Sequence, residues 1–244
     1  MAEEENLTKK EKRELRRQER NVESDRRQKM RVYKRVMVWA VAVFVVAGSI
    51  FGIFWLLGSP GGERVFVGAV LQDDQIKGNS DAGTTIIEYS DFQCQACAAY
   101  YPIIKRLAEE YGDSAIFVYR HFPLRQIHPN AELAAQASES AARQGKFWEM
   151  HDMLFENQQI WSNQRNPEET FIGYASAIGL DVEKFKSDLA SEEVENKVDR
   201  DYNSAISAGI NATPTFIFNG EKIQTPRTYE QFRTLIEQSV GSDR

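Results

Sequence analysis

The chain of 244 residues holds two cysteines, and they stand three positions apart as Cys94-Gln95-Ala96-Cys97. Sulfurs at that spacing meet across one helical turn, so the pair can close into a disulfide and open again by exchange with another thiol. Exchange needs a thiolate, and the flanking sequence offers a place to form one. Thr84-Thr85-Ile86-Ile87-Glu88-Tyr89 is short and rich in β-branched and aromatic residues, which predicts a strand. From Cys97 onward, Ala98, Tyr101, Ile104, Leu107, Ala108 and Tyr111 recur at three- and four-residue intervals and stop at Gly112, which predicts an amphipathic helix. A cysteine in the first turn of that helix meets the positive end of the backbone dipole and unpaired N–H groups, both of which favour thiolate. Cys94 is the expected nucleophile, and Cys97, one turn inward, is expected to resolve a mixed disulfide.

Other uses of the pair compete with exchange. A structural staple gains little, because stabilisation by cross-linking grows with loop length and this loop is nearly the shortest available. Zinc needs about four ligands, and neither a second cysteine pair nor an H-x₃₋₅-H spacing among His121, His128 and His151 supplies them. Two unrelated buried cysteines form the third alternative. The histidines are expected to pack or sit at the surface, and Phe147, Trp148 and Trp161 to anchor a helical core.

The elements that would position this pair follow an α/β order. Ile116-Phe117-Val118-Tyr119 is the next strand, completing a strand–helix–strand unit of the parallel type. Between Pro129 and Ile210 the pattern is helical throughout, in five segments broken by Gly, Asn-Pro or Asp, which predicts an all-helical insertion. Strand character returns at Pro214-Thr215-Phe216-Ile217-Phe218, Asn219-Gly220 signals a hairpin, Glu221 to Gln224 returns, and Tyr229, Phe232, Leu235 and Ile236 mark a closing helix.

Charge divides the chain. Residues 1–35 carry thirteen bases against eight acids, so the net −6 of the whole places −11 on residues 36–244. An acidic remainder excludes nucleic acid as an expected partner. Val36 to Leu57 is a run of 22 residues without a charge. As a helix it would reach about 33 Å, enough for a hydrocarbon core of ~30 Å. Bases crowd only its N-terminal side, so the positive-inside rule predicts a single-pass anchor in the cell membrane with residues 1–35 as a cytoplasmic tail and the domain outside. A cleaved signal peptide and a buried core helix are the alternatives, and the long charged lead without a small-x-small site speaks against the first. Residues 58–83 are expected to form a linker and first-strand region, with the compact domain starting near Glu63.

The stretches TIIEYSDFQCQAC, YRHFPL with HPNAELAAQAS, GKFWEMHDMLF and GINATPTFIFNG together resemble the DsbA-like branch of thioredoxin-fold proteins, over roughly Ile76 to Val240. The resemblance implies a thioredoxin-like α/β fold at 84–240 with a helical insertion at about 129–210, acting without a cofactor as a protein thiol–disulfide oxidoreductase. It implies that Pro214 is a cis-proline lying against the redox pair, with Thr213 offering backbone groups to an extended substrate. Glu88, six residues before Cys94, matches the buried acid of the family. A carboxyl in an apolar strand has its pKa raised, so Glu88 is expected to exchange a proton with Cys97. The implied partners are unfolded or extended protein substrates and a membrane redox partner that recycles the pair, with the anchor in the lipid bilayer. An oxidase is expected, a reductase or isomerase is the alternative in the same chemistry, and a non-catalytic chaperone or binding module is the rival. Gln95 and Ala96 replace the Pro and His or Tyr of strongly oxidising members, which would make the disulfide somewhat less oxidising. Asn211-Ala212-Thr213 matches a glycosylation sequon, but a glycan there would block the implied site.

Overall fold

A computed structural model describes residues 68–242 and, upstream, only Met37, Trp39 and Gly48. The basic tail and the apolar run to Leu57 therefore lie essentially outside the described residues. Among the described residues, no helix is long and apolar enough to cross a membrane. The chain divides after Arg64, and the strands and helices of residues 68–242 all belong to the second unit.

Its elements are β1 (Gln75–Gly78), β2 (Thr84–Ser90), α1 (Gln95–Tyr111), β3 (Ala115–His121), α2 (Ala131–Ala142), α3 (Phe147–Glu156), α4 (Gln158–Trp161), α5 (Glu168–Ala177), α6 (Val182–Leu189), α7 (Glu192–Ser207), β4 (Thr215–Phe218), β5 (Glu221–Lys222) and α8 (Tyr229–Ser242). The sheet runs β1-β3-β2-β4-β5, with β2 and β3 parallel and the other pairs antiparallel. All but one residue of β2 and β3 are buried, the pattern of central strands covered on both faces. The helical insertion spans α2 to α7. Ser191 and Asp181 cap α7 and α6 through the backbone N–H groups of Val194 and Lys184, and Glu192, Glu193 and Glu195 complement the α7 dipole.

The first strand lies inside the 58–83 linker and first-strand region, in a polar stretch, because Gln75–Gly78 gains its strand hydrogen bonds from β3 and needs no apolar face of its own. One detail departs from the sequence expectation. The return strand is only Glu221–Lys222, and the Ile223 N–H, donating to the Phe216 carbonyl at 3.2 Å, makes its last bond to β4. Asn219 and Gly220, with φ of 47° and 86°, form the tight turn that Asn-Gly favours.

Side chains alternate across the sheet. Ile86, Phe117 and Phe216 pack under Leu107 and Ala108 of α1 and Phe232 and Ile236 of α8. On the other face Ile87, Ile116, Val118 and Ile217 meet Ala205 of α7. The end of α1 that carries the cysteines packs instead into the insertion, where Phe92, Cys94 and Cys97 join Met150, Leu154, Phe155 and Trp161.

One buried ion pair ties the entry segment to the sheet. Arg120 Nε and Nη2 donate to Asp74 Oδ1 and Oδ2 at 2.9 and 2.7 Å, Nη1 donates to Tyr89 Oη at 3.0 Å, and neither charged side chain has exposed surface. Removing one partner of such a pair strands the other charge. Asp74→Ala is expected to lower unfolding free energy by about 3–5 kcal/mol in denaturant titration, and a loss under ~1 kcal/mol would contradict this role.

Candidate active site

Cys94 is the N-cap of α1, its backbone still extended (φ −71°, ψ 122°), and Cys97 sits in the first turn. Both are free thiols. Cys94 keeps 8% of its surface exposed and Cys97 none, so only one sulfur is open to a partner. The Cys97 side chain stabilises the Cys94 thiolate most, followed by the Thr213 hydroxyl and the Cys97 and Ala96 backbone N–H groups, and together they outweigh burial and bring the Cys94 pKa down to about 5. Burial pushes Cys97 the other way, well above the ordinary thiol value, with the charges of Cys94 and Glu88 adding to it. The arrangement yields one ready thiolate and one held proton.

Thr213–Pro214 is a cis peptide bond, and Cys94 Sγ lies 3.7 Å from the Thr213 carbonyl oxygen, to which it donates when protonated. Those two residues open β4 directly beside the redox pair. Glu88 lies on β2 in register with Tyr119 of β3 and Phe216 of β4, and burial, opposed by Ser90 and reinforced by the Cys94 charge, raises its carboxyl to about 7. The sequence-expected Cys94, Cys97, Glu88, Thr213 and Pro214 are thus brought together around the start of α1.

Residues that sequence reasoning passed over hold this corner in place. Asp91, buried between β2 and α1, accepts from the backbone N–H groups of Gln93 (2.7 Å) and Leu124 (2.8 Å) and bonds His128 Nδ1 (2.7 Å). Gln158 Nε2 donates to the carbonyls of Phe92 (2.7 Å) and Cys94 (3.0 Å). Asn130 N–H donates to Gln93 Oε1 at 2.7 Å. Asp before a helix is a recognisable turn signal and offered a hint; Gln158 and Asn130 carry none in the sequence, because their partners lie 64 to 66 and 37 residues away.

The comparisons with known proteins come to the same architecture. Residues 71–238 match the family profile described as Thioredoxin. The chain belongs to the thioredoxin family. With its Cys-x-x-Cys pair at the helix start, this thioredoxin-family chain is a thiol–disulfide oxidoreductase. Its fold is that of alpha-DsbA1 from Wolbachia pipientis (TM-score 0.64, 22% identity, 74% of this chain and 96% of that one) and of BdbD from Bacillus subtilis (0.61, 24%, 69% and 93%). Among curated proteins it is 34% identical over 171 residues to a Na(+)/H(+) antiporter NhaA 3 of Salinispora tropica and 42% identical over 151 residues to a Na(+)/H(+) antiporter NhaA of Herminiimonas arsenicoxydans. These matches take in 70% and 62% of the chain but only 25% and 23% of the antiporters. The antiporter name describes those longer proteins as wholes.

Among the described residues, His121, Glu139 and Asp201 bring possible metal ligands within 4.8 Å of one another. They fit a cation poorly. His121 Nε2 already bonds Glu139 at 2.8 Å, and the Lys197 ammonium holds both Asp201 oxygens at 2.7 and 2.8 Å. The cationic position in this oxidoreductase is filled by lysine, and His121 and His128 both serve as structural partners.

The raised Glu88 carboxyl has a stability consequence whose sign is fixed. A carboxyl that binds its proton more tightly when folded stabilises the fold below its unfolded pKa of ~4.3 and loses that contribution as pH rises through the folded value. With the folded value at about 7, the loss is confined between those limits. Glu88→Gln is expected to match wild type near pH 4 and to exceed its stability at pH 8 by about 3 kcal/mol, since each tenfold change in proton affinity is worth ~1.4 kcal/mol. A stability difference that does not change with pH would contradict the buried carboxyl.

Proposed function

We propose that this oxidoreductase is membrane-anchored and works outside the cytoplasm as an oxidase, passing the Cys94–Cys97 disulfide to extended or unfolded secreted chains. The observation that carries the reading is the opposite treatment of the two sulfurs, one held as thiolate at about 5 and the other well above the ordinary value. In the oxidising direction a substrate thiolate attacks Cys94 Sγ. A new S–S bond forms to the substrate, the Cys94–Cys97 bond breaks, and Cys97 leaves with the electron pair and takes a proton from Glu88. A second substrate thiol, losing its proton, attacks its neighbour's sulfur in the mixed disulfide and releases Cys94 as thiolate. Two electrons pass to the protein and one disulfide to the substrate.

A thiolate stable at neutral pH is a good leaving group and stabilises the reduced state, which favours an oxidant. Gln95 and Ala96 add no cation, but Cys97, Thr213 and the helix N–H groups supply the stabilisation that a histidine would give elsewhere. Thr213 and Pro214 are assigned to the extended substrate, and a membrane redox partner to reoxidising the pair. The anchor is assigned to Val36–Leu57 with residues 1–35 inside, on the strength of the uncharged run and the one-sided bases. Reductase or isomerase action is the second reading, favoured by the uncharged dipeptide.

Three measurements test this. With the full chain and a disulfide-bonded substrate protein, the Cys94 thiolate of Cys97→Ser is expected to attack the substrate disulfide, release one substrate thiolate and accumulate as mixed disulfides on non-reducing gels, and Cys94→Ser to form few; equal trapping would overturn the roles. The reduction potential is expected nearer about −120 mV than about −270 mV, and a value at the lower end would make the protein a reductant. Protease added to spheroplasts is expected to remove the domain, whereas cleavage only after lysis would reverse the topology.

A further inference from the structure

The first turn of α1 has no side-chain cap, so the direction in which its N–H groups point is set from outside the helix. The chain enters it through a turn closed by the Cys94 N–H, which donates to the Asp91 carbonyl at 3.1 Å. Three successive residues of that turn are held by the helical insertion. Gln158 Nε2 donates to the Phe92 carbonyl at 2.7 Å and to the Cys94 carbonyl at 3.0 Å, and Gln93 Nε2 donates to the Ser162 carbonyl at 2.8 Å. One amide nitrogen thus bridges two peptide groups, one on either side of the Gln93–Cys94 bond. The Cys94 carbonyl already accepts from the Ala98 N–H at 3.1 Å, the first bond of the helix, so Gln158 takes its second lone pair. Gln158 is itself fixed. It has 3% of its surface exposed and opens α4, whose Trp161 is fully buried and donates through Nε1 to the Leu154 carbonyl at 2.8 Å. A leucine would fill this place without desolvating an amide, so packing alone does not account for glutamine there.

We propose that Gln158 is a positioning residue for disulfide exchange and sets how oxidising the Cys94–Cys97 pair is. Its two hydrogen bonds hold the Cys94 peptide group so that the N–H groups of the first helical turn face the Cys94 sulfur. The role rests on Cys94 being the exchanging sulfur. Two effects act together. Clamped at Phe92 and Cys94, the peptide group joining Cys94 to Gln95 is kept from rotating, and the Ala96 and Cys97 N–H groups that stabilise the thiolate stay on the sulfur. A carbonyl that accepts two hydrogen bonds is also more polarised, which strengthens the N–H donor of its own peptide group. A thiolate made more stable favours the reduced protein, and so a stronger oxidant. Neither effect needs a charge: the tuning that a cation could supply from position 95 or 96 comes instead from a neutral amide of the insertion. The titratable groups facing this turn are Cys97 on α1, Glu88 on β2, Asp91 in the turn, His128 on the loop after β3, and His151 on α3, whose ring meets Phe92 at 5.6 Å.

The test is the thiolate absorbance of the reduced full chain against pH, together with the equilibrium of the pair with glutathione, for wild type, Cys94→Ser, Gln158→Leu and Gln158→Glu. Gln158→Leu keeps the bulk and loses both donors. Its lower thiolate midpoint, about 5 in wild type, is expected to rise by about one pH unit, a tenfold loss of thiolate stability. Its disulfide is expected to be about tenfold harder to reduce by glutathione, a fall of ~30 mV in potential. Gln158→Glu puts acceptors where two donors stood and is expected to move both readings further. A purely structural glutamine would lower the thermal unfolding midpoint on substitution and leave both readings unmoved. Where Gln158→Leu folds poorly, Gln158→Glu and the wild-type protein decide. In wild type the Gln158 side-chain amide resonance is expected to shift with the Cys94 titration, at about 5, and a resonance unmoved across it would overturn the proposal. Wild-type midpoint and equilibrium in the Gln158 variants would also overturn it, leaving the oxidoreductase reading intact. A low-pH thiolate that survives in Cys94→Ser would overturn the reading of Cys94 on which it rests.

Discussion

Two sulfurs separated by a single helical turn are held in opposite electrostatic environments, and the rest of the domain depends on keeping them so. Cys94 caps α1, where the Cys97 side chain, the Thr213 hydroxyl and two backbone N–H groups all favour negative charge. Cys97, one turn deeper, meets hydrocarbon, the Cys94 charge and the Glu88 carboxyl, all of which favour the neutral thiol. Keeping the two sulfurs unequal needs the first turn of α1 held against the sheet, because hydrogen bonding to sulfur weakens with distance.

That fixity comes from around the helix more than from the helix itself, which has no side-chain cap at its start. Asp91 gathers two backbone N–H groups and His128, and Gln158 reaches in from the insertion to the carbonyls of Phe92 and Cys94. Phe92 stacks on Tyr119 at 5.0 Å and tilts against Phe155 at 4.9 Å, joining strand, loop and insertion in one apolar cluster. Burial of a side chain this size contributes about 1.5–3 kcal/mol, so the same contact that stabilises the fold also desolvates Cys97. The helical insertion is therefore part of the redox centre: without α3 and α4 the inner sulfur would be wet and the two cysteines would grow alike.

What was legible in the sequence was whatever is written locally. The cysteine spacing, the alternation of β2, the three-and-four periodicity of α1 and Asn219-Gly220 each encode their geometry within a few residues, and the structure follows them. Glu88 was legible because a lone acid in an apolar strand is unusual. Strand β1 was legible only as a region within 58–83, since its polar residues become a strand by pairing with β3. The supports Gln158 and Asn130 were hidden for a related reason: the Gln158 side chain and the Asn130 backbone N–H take their roles from partners far along the chain.

Titrating the thiolate absorbance of the reduced protein tests the inequality of the two sulfurs most directly. One thiolate should appear with a midpoint near about 5. The second should stay protonated through pH 9, beyond the ~8.5 of an unperturbed cysteine. Two thiols titrating together near ~8.5 would contradict the account at its centre.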